Sequence, residues 1–157
     1  MKEIHYFPKH SIPVVEPMRE EHLEHIAEID ELSFNQPYSR DIFKEELSLD
    51  IAHPQILRVG DQIVGFIDYW IVRGEIHLIN IAVHPAYRRR HYASFLMNHL
   101  EDVAQRNAAK KIFLDVRRGN TAGIALYEKF GFKKVGIRRR YYSDNNEDAI
   151  VMTKSFD

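Results

Sequence analysis

Residues 88–94 read Arg-Arg-Arg-His-Tyr-Ala-Ser and stand directly before a stretch whose apolar residues recur at helical spacing. A helix start offers unbonded backbone N–H groups and the positive end of a dipole, which together attract anions. Arginines beside it add charge-assisted donors. The segment therefore suits a phosphate-bearing ligand, although a solvated basic turn has the same composition. His22 and His25 lie three apart on a predicted helix, a spacing that can suit a metal. No third ligand stands near them, so a solvated helix face is expected and no metal is. The run Arg138–Arg140 could meet nucleic acid. A net charge of -1 and a pI of about 6.8 argue against direct nucleic-acid binding.

The chain has no cysteine. That excludes disulfides, thiolate metal sites and a cysteine-borne acyl intermediate, and it fits a cytoplasmic location. Charge is unevenly spread. Residues 1–86 hold 7 Lys/Arg and 15 Asp/Glu, whereas residues 87–157 hold 15 and 8. A basic half suits an anionic ligand and an acidic half a cationic one, and two ordinary solvated surfaces would give the same numbers. A length of 157 residues, 45% of them hydrophobic, favours one globular domain. The apolar stretches are far short of a membrane span, and residues 1–15 do not read as a signal peptide.

The elements that must position such residues follow from periodicity. Residues 1–13 read as a weakly structured extension, and residues 14–157 as a single domain. Val14–Met18 suggests a short strand. Leu23, Ile26, Ile29 and Leu32 mark an amphipathic helix, and Ser39 is the expected N-cap of a second helix carrying Ile42, Phe43 and Leu47. Gln55–Val59 and Gln62–Val72 form an expected hairpin about Gly60-Asp61. His77–Val83 is an apolar strand. A helix runs from Ala93 to Asn107, and Ile112–Val116 is the next strand. Asn120 or Thr121 should cap a helix that stops at Gly131. Phe132–Arg140 and Ala149–Thr153 are the last strands, with Ser143–Glu147 a polar loop. This is an α/β (α+β) chain with a mixed sheet of about six to seven strands and about four helices. Strands flanking the Ala93 helix should be parallel neighbours. Ligands gather at the carboxyl ends of such strands, which points to Ile81–Val83, the Tyr87–Ser94 turn and Asp115–Asn120.

The stretch IAVHPAYRRR before a helix resembles the acetyl-coenzyme A motif of the GNAT superfamily, whose pattern is Q/R-x-x-G-x-G/A. LDVRRGNTAGIALYEKFGFKKVG is similar to the superfamily's second signature. The opening FNQPYSRDIFKEEL and the closing RRRYYSDNNEDAIVM resemble the RimI family, which acetylates the N-terminal alanine of a small-subunit ribosomal protein. The likeness runs from about Val15 to Met152.

It implies the GNAT fold and an acetyl-CoA-dependent N-acetyltransferase using no metal, with acetyl-CoA and a protein N-terminus as partners. Ile81, Ala82 and Val83 would meet the pantetheine arm as a neighbouring strand would, and the Val83 amide could polarise the thioester carbonyl. Arg88, Arg89, Arg90, His91, Tyr92, Ala93 and Ser94 would wrap the pyrophosphate. Asn120 would hydrogen-bond near the sulfur. Tyr127 matches the general acid and Asp115 the general base. Without the likeness, Asp115 reads as an ion-pair partner of Arg117 or Arg118, and Tyr127 as core. His91 stands where the motif has glycine. A negative φ there would accommodate it, and a protonated His91 could assist the phosphate. Asp115 stands where RimI relatives usually have glutamate, one methylene longer, a gap that a water could bridge.

On the substrate side, Tyr38, Tyr141 and Tyr142 could wall a peptide groove. Glu147 and Asp148 could receive the arginine that follows the alanine in RimI substrates, or form cross-strand pairs in a polar loop. Three readings remain: a protein N-terminal acetyltransferase working in a ternary complex, an acetyltransferase of small amines, and an acyl-CoA-binding module without turnover.

Overall fold

The computed structural model describes residues 11–34 and 37–156. Most of the expected extension, residues 1–10, lies outside the described residues. Among the described residues seven strands and four α-helices occur in the order β1 (Val14–Pro17), α1 (Leu23–Ser33), α2 (Arg40–Leu47), β2 (Gln55–Val59), β3 (Gln62–Val72), β4 (Glu75–Val83), α3 (Tyr92–Arg106), β5 (Lys111–Arg117), α4 (Thr121–Lys129), β6 (Lys133–Tyr142) and β7 (Glu147–Ser155). One mixed sheet orders them β1-β2-β3-β4-β5-β7-β6. The expected α+β architecture is what forms, with element ends shifted by at most two residues.

Two compact units divide the chain. The first holds residues up to Tyr69 together with Asn80–His99. Its core gathers Leu23, Ile26 and Ile29 of α1, Phe43 of α2, Ile56 of β2, Phe66 of β3 and Ala82 of β4. Phe43 meets Phe66 edge-on at 5.3 Å. Of the apolar series on α1, Leu23, Ile26 and Ile29 form one buried stripe, whereas Leu32 is exposed. Ser39 caps α2 as expected, its Oγ accepting from the Ile42 amide at 3.3 Å. The second unit holds Trp70–Ile79 and Leu100–Asp157. The tip between β3 and β4 puts Arg73 at φ 50° and Gly74 at φ 79°, the two left-handed residues that a tight hairpin turn requires. Strand β5 alternates, burying Ile112, Leu114 and Val116 and leaving Phe113 and Asp115 half-buried. Gly131, at φ 89°, ends α4, and the Phe132 amide donates back to the Tyr127 carbonyl at 3.0 Å, a helix-closing pattern that needs glycine.

Periodicity did not foresee the buried acids of the first unit, Asp30, Glu46 and Asp68. Asp30 of α1 and Asp68 of β3 are each 1% exposed. Burial raises the Asp30 carboxyl to about 6. Burial, with the Glu46 carboxyl of α2 beside it, pushes Asp68 far above the ordinary carboxylate range. Between the unfolded value of about 3.9 and the raised folded one, native Asp68 holds a proton that the unfolded chain has released. Stability therefore falls as pH rises through that window. Asp68→Asn is expected to flatten the decline between pH 5 and pH 8, as measured by denaturant unfolding at stepped pH. An unchanged slope would mean that Asp68 is ionised in the native state.

Candidate active site

In the first unit, β4 ends against β3 with almost no clearance. A Cβ at Gly65 would lie 2.6 Å from the Ala82 carbonyl oxygen, so glycine is what allows the Ile81–Val83 backbone its position. The His84 amide donates to the Val64 carbonyl at 2.8 Å. The His84 ring then turns the chain, its Nδ1 accepting from the Ala86 amide at 3.0 Å. After the single 3-10 turn Pro85–Tyr87 the basic segment begins. Arg88, Arg89 and His91 are exposed, and the Arg90 guanidinium lies 5.5 Å from the centre of the Tyr87 ring. Tyr92, Ala93 and Ser94 open α3, one residue earlier than expected.

The backbone here is unusual. Arg89 has φ 63° and His91 φ 62°. The negative φ that would accommodate a histidine is not what forms; His91 adopts the left-handed conformation that the motif assigns to glycine. Such residues persist where surrounding structure over-determines them, often at ligand clamps. The left-handed region costs a non-glycine residue roughly 1–2 kcal/mol, whereas glycine's extra freedom in the unfolded chain costs about 0.5–1 kcal/mol. His91→Gly is therefore expected to leave stability unchanged or raise it by up to about 1 kcal/mol in denaturant unfolding, and His91→Val to lower it. A clear loss in the glycine variant would show that the imidazole makes a stabilising contact.

In the second unit, β4 and β5 pair in parallel through Glu75–His77 and Lys111–Phe113. Asp115 lies two residues beyond, on the half-buried face. Its partner is neither Arg117 nor Arg118. Arg138 of β6 donates from Nε to Asp115 Oδ1 at 3.0 Å. The register explains this: Asp115 faces Val151 on β7, which faces Gly136 on β6. Arg138, two residues on, shares that face and is long enough to reach across. Arg117 instead binds Asp144 at 3.0 Å and Glu147 at 3.2 Å. Its guanidinium lies 3.9 Å from the Tyr142 ring centre.

Glu147 and Asp148 belong to β7, not to a loop. Asn146, at φ 57°, closes the turn before them. Glu147 also accepts from the Gly119 amide at 2.7 Å, which together with Arg117 holds its carboxyl below the usual range. Asp148 accepts from the Arg140 amide at 3.0 Å and from Arg118 at 3.2 Å, with its carboxyl likewise lowered, chiefly by that amide. Of the two expectations for these acids, cross-strand pairing is the arrangement present. Between Arg138 and Tyr142 the β6–β7 register shifts, and Arg140 within that bulge has φ 51°. Tyr141 is half-exposed and meets Tyr142 edge-on at 5.1 Å. Tyr38, in the first unit, packs on Phe43 at 5.8 Å.

Asn120 caps α4, its Oδ1 accepting from the Gly123 amide at 2.9 Å. Its amide nitrogen keeps donors that this bond does not use. The Tyr127 ring is buried, and burial pushes its hydroxyl well above the ordinary phenol value. One residue escaped the sequence reading altogether. His77 stacks on Phe113 at 4.4 Å, and its Nε2 lies 4.0 Å from Asp115 Oδ2. Its only signal was a lone imidazole in a mostly apolar strand. Among the described residues no group of three His, Asp or Glu is placed to hold a metal ion. No helix among them is long and apolar enough to cross a membrane.

The profile of the acetyltransferase (GNAT) family matches residues 21–132, and the chain belongs to that family. Within it, the chain is 34% identical over 139 residues to a Bacillus subtilis (strain 168) protein provisionally named a ribosomal protein bS18-alanine N-acetyltransferase. That match covers 88% of this chain and 92% of the relative. The crystal structure of the Escherichia coli ribosomal-protein-S18-alanine N-acetyltransferase superposes with a TM-score of 0.84 at 30% identity, covering 92% of this chain and 94% of the other. A GNAT acetyltransferase from Elizabethkingia anophelis, solved with acetyl-CoA bound, shares the fold at a TM-score of 0.74 and 17% identity, covering 92% and 98%.

Proposed function

We propose that this enzyme moves the acetyl group of acetyl-CoA directly to the α-amine of a protein N-terminus, the N-terminal alanine of a small-subunit ribosomal protein. The observation that carries the reading is the near full-length likeness to the bS18-alanine N-acetyltransferases. The reaction would run in the cytoplasm and needs neither a membrane nor direct nucleic-acid binding.

In the first unit, we assign the Arg88–Ser94 turn to the pyrophosphate. Its exposed arginines and the α3 N-terminus fit that anion. Ile81–Val83 would serve the pantetheine arm, with the Val83 amide on the thioester oxygen, and Tyr38 the peptide. In the second unit, Asn120 would use its spare amide donors near the sulfur, while Tyr141 and Tyr142 would meet the peptide. Glu147 and Asp148 would serve the peptide by holding this hairpin in shape, since their carboxylates are already engaged.

The chemistry needs two groups. An α-amine titrates near ~7.7–8.0, so much of it is protonated at neutral pH and must lose a proton before attack. Asp115 would anchor the centre that accepts it. The departing thiolate needs a donor. Tyr127 stays protonated because its hydroxyl is raised, so it is better suited to hydrogen-bonding the thiolate than to surrendering its proton outright. The non-catalytic acyl-CoA-binding reading has one observation in its favour, the tie between Asp115 and Arg138.

Tyr127→Phe keeps the buried ring and is expected to lower turnover by roughly 10²–10⁴ with the fold intact. Asp115→Asn is expected to cost a similar factor at neutral pH, less at high pH, where the amine deprotonates unaided. Both are read by mass spectrometry on peptides beginning Ala-Arg and Ala-Glu and on small amines, with the Ala-Arg α-amine expected to react fastest. Faster acetylation of lysine side chains or small amines would favour the small-amine reading. Calorimetric binding of acetyl-CoA with no turnover on any amine would favour the binding module.

A further inference from the structure

We propose that His77 is the group that takes the proton from the attacking amine, with Asp115 stabilising the imidazolium; this rests on the acetyltransferase reading above. His77 and Phe113 are register partners in the parallel pairing, and their rings stack 14° from parallel. The Trp70 ring closes the imidazole's other side edge-on at 6.2 Å. The ring is thus held while its Nε2 faces Asp115 Oδ2 at 4.0 Å, with side chains 28% and 14% exposed. Two acceptors that far apart can both receive hydrogen bonds of about 2.8 Å from one water or one ammonium group. Asp115 is less free than His77 to bind the proton, because its Oδ1 already holds Arg138. The charged groups facing His77 are Asp115 from β5 and Arg138 from β6. Lys111 lies over the Phe113 ring and pairs with Glu75, next along the same strands. Burial holds the imidazole below its ordinary value even with Asp115 opposing that shift. His77 is therefore neutral at pH 7 and ready to accept. A histidine oriented by a carboxylate is a general base of familiar design.

The substrate arrives as an ammonium. One N–H proton passes to His77 Nε2, directly or through the bridging water. The freed lone pair forms the C–N bond to the acetyl carbon as the C–S bond breaks, and that bond's electron pair leaves on sulfur. The second N–H proton ends on the thiolate, which the Tyr127 hydroxyl holds by a hydrogen bond, and His77 returns its proton to solvent. The products are an N-acetyl amide, a free thiol and one proton.

The test uses the full chain with acetyl-CoA and an Ala-Arg peptide. His77→Gln and His77→Phe, the latter keeping a ring on Phe113, should each lose roughly 10²–10⁴ in kcat at pH 7. The KM for acetyl-CoA should stay near the wild-type value, and the loss should shrink above pH 9. His77→Ala should regain rate when imidazole is added, which a merely structural histidine would not do. In the wild type, the His77 ring should titrate by NMR below the ordinary value of about 6.5. A wild type that acetylates nothing overturns the acetyltransferase reading and this inference together. An active wild type removes His77 alone under any of three results: folded variants within twofold of its rate, a pH-independent loss without imidazole rescue, or a His77 still protonated at pH 7.5.

Discussion

A parallel pairing only three residue pairs long, Glu75–His77 against Lys111–Phe113, decides where the polar side chains of the second unit meet. Parallel neighbours cannot be joined by a tight turn, so α3 supplies the crossover. The pairing makes His77 opposite Phe113 obligatory, and from there strand alternation puts Asp115 on the imidazole's side. A slip of one residue would turn Asp115 inward and bring Leu114 out. The alternation that buries Ile112, Leu114 and Val116 thus also fixes the polar face. The hydrophobic effect sets the register, and the chemistry inherits it.

Charge in the last hairpin acts mainly through shape. Asp115 with Arg138, Glu147 with Arg117, and Asp148 with Arg118 are all partly exposed pairs, and such pairs add little stability individually. Their geometry has more consequence. Glu147 ties the Gly119 backbone just before α4, and Asp148 ties the backbone of the Arg140 bulge. Arg117 lies over the Tyr142 ring. Tyr141 and Tyr142 are consequently presented by a hairpin braced at several backbone points.

Much of this was legible in the sequence. Periods of two and about 3.6 located each strand and helix, and Ser39, Asn120 and Gly131 marked helix ends because capping chemistry is local. Long-range pairing was not legible. The partner of Asp115 lies 23 residues away and two strands over, so the nearer Arg117 and Arg118 were the natural guesses. Glu147 and Asp148 read as a loop because polar residues follow a turn; the bulge lets them sit on a strand. His91 showed that residue type does not fix φ, since a histidine takes the left-handed conformation here. Asp68 was hidden for the opposite reason: one carboxylate in a hydrophobic run carries no sign that it will be buried.

The bulged, cationic β6 has a consequence for how copies of this chain behave at high concentration. Among the described residues it is the last strand of the sheet, and it is almost wholly exposed, Val135 and Ile137 included. An outer strand of that kind invites another chain to add itself by backbone hydrogen bonds. Two register shifts break the straight row of donors and acceptors that such growth requires. Lys133, Lys134, Arg139 and Arg140 make two such edges repel each other. At the far edge β1 is only four residues long and ends in Pro17, which has no amide hydrogen to donate. Each margin of the sheet thus resists fibrous growth by its own means, one through charge and distortion and the other through brevity.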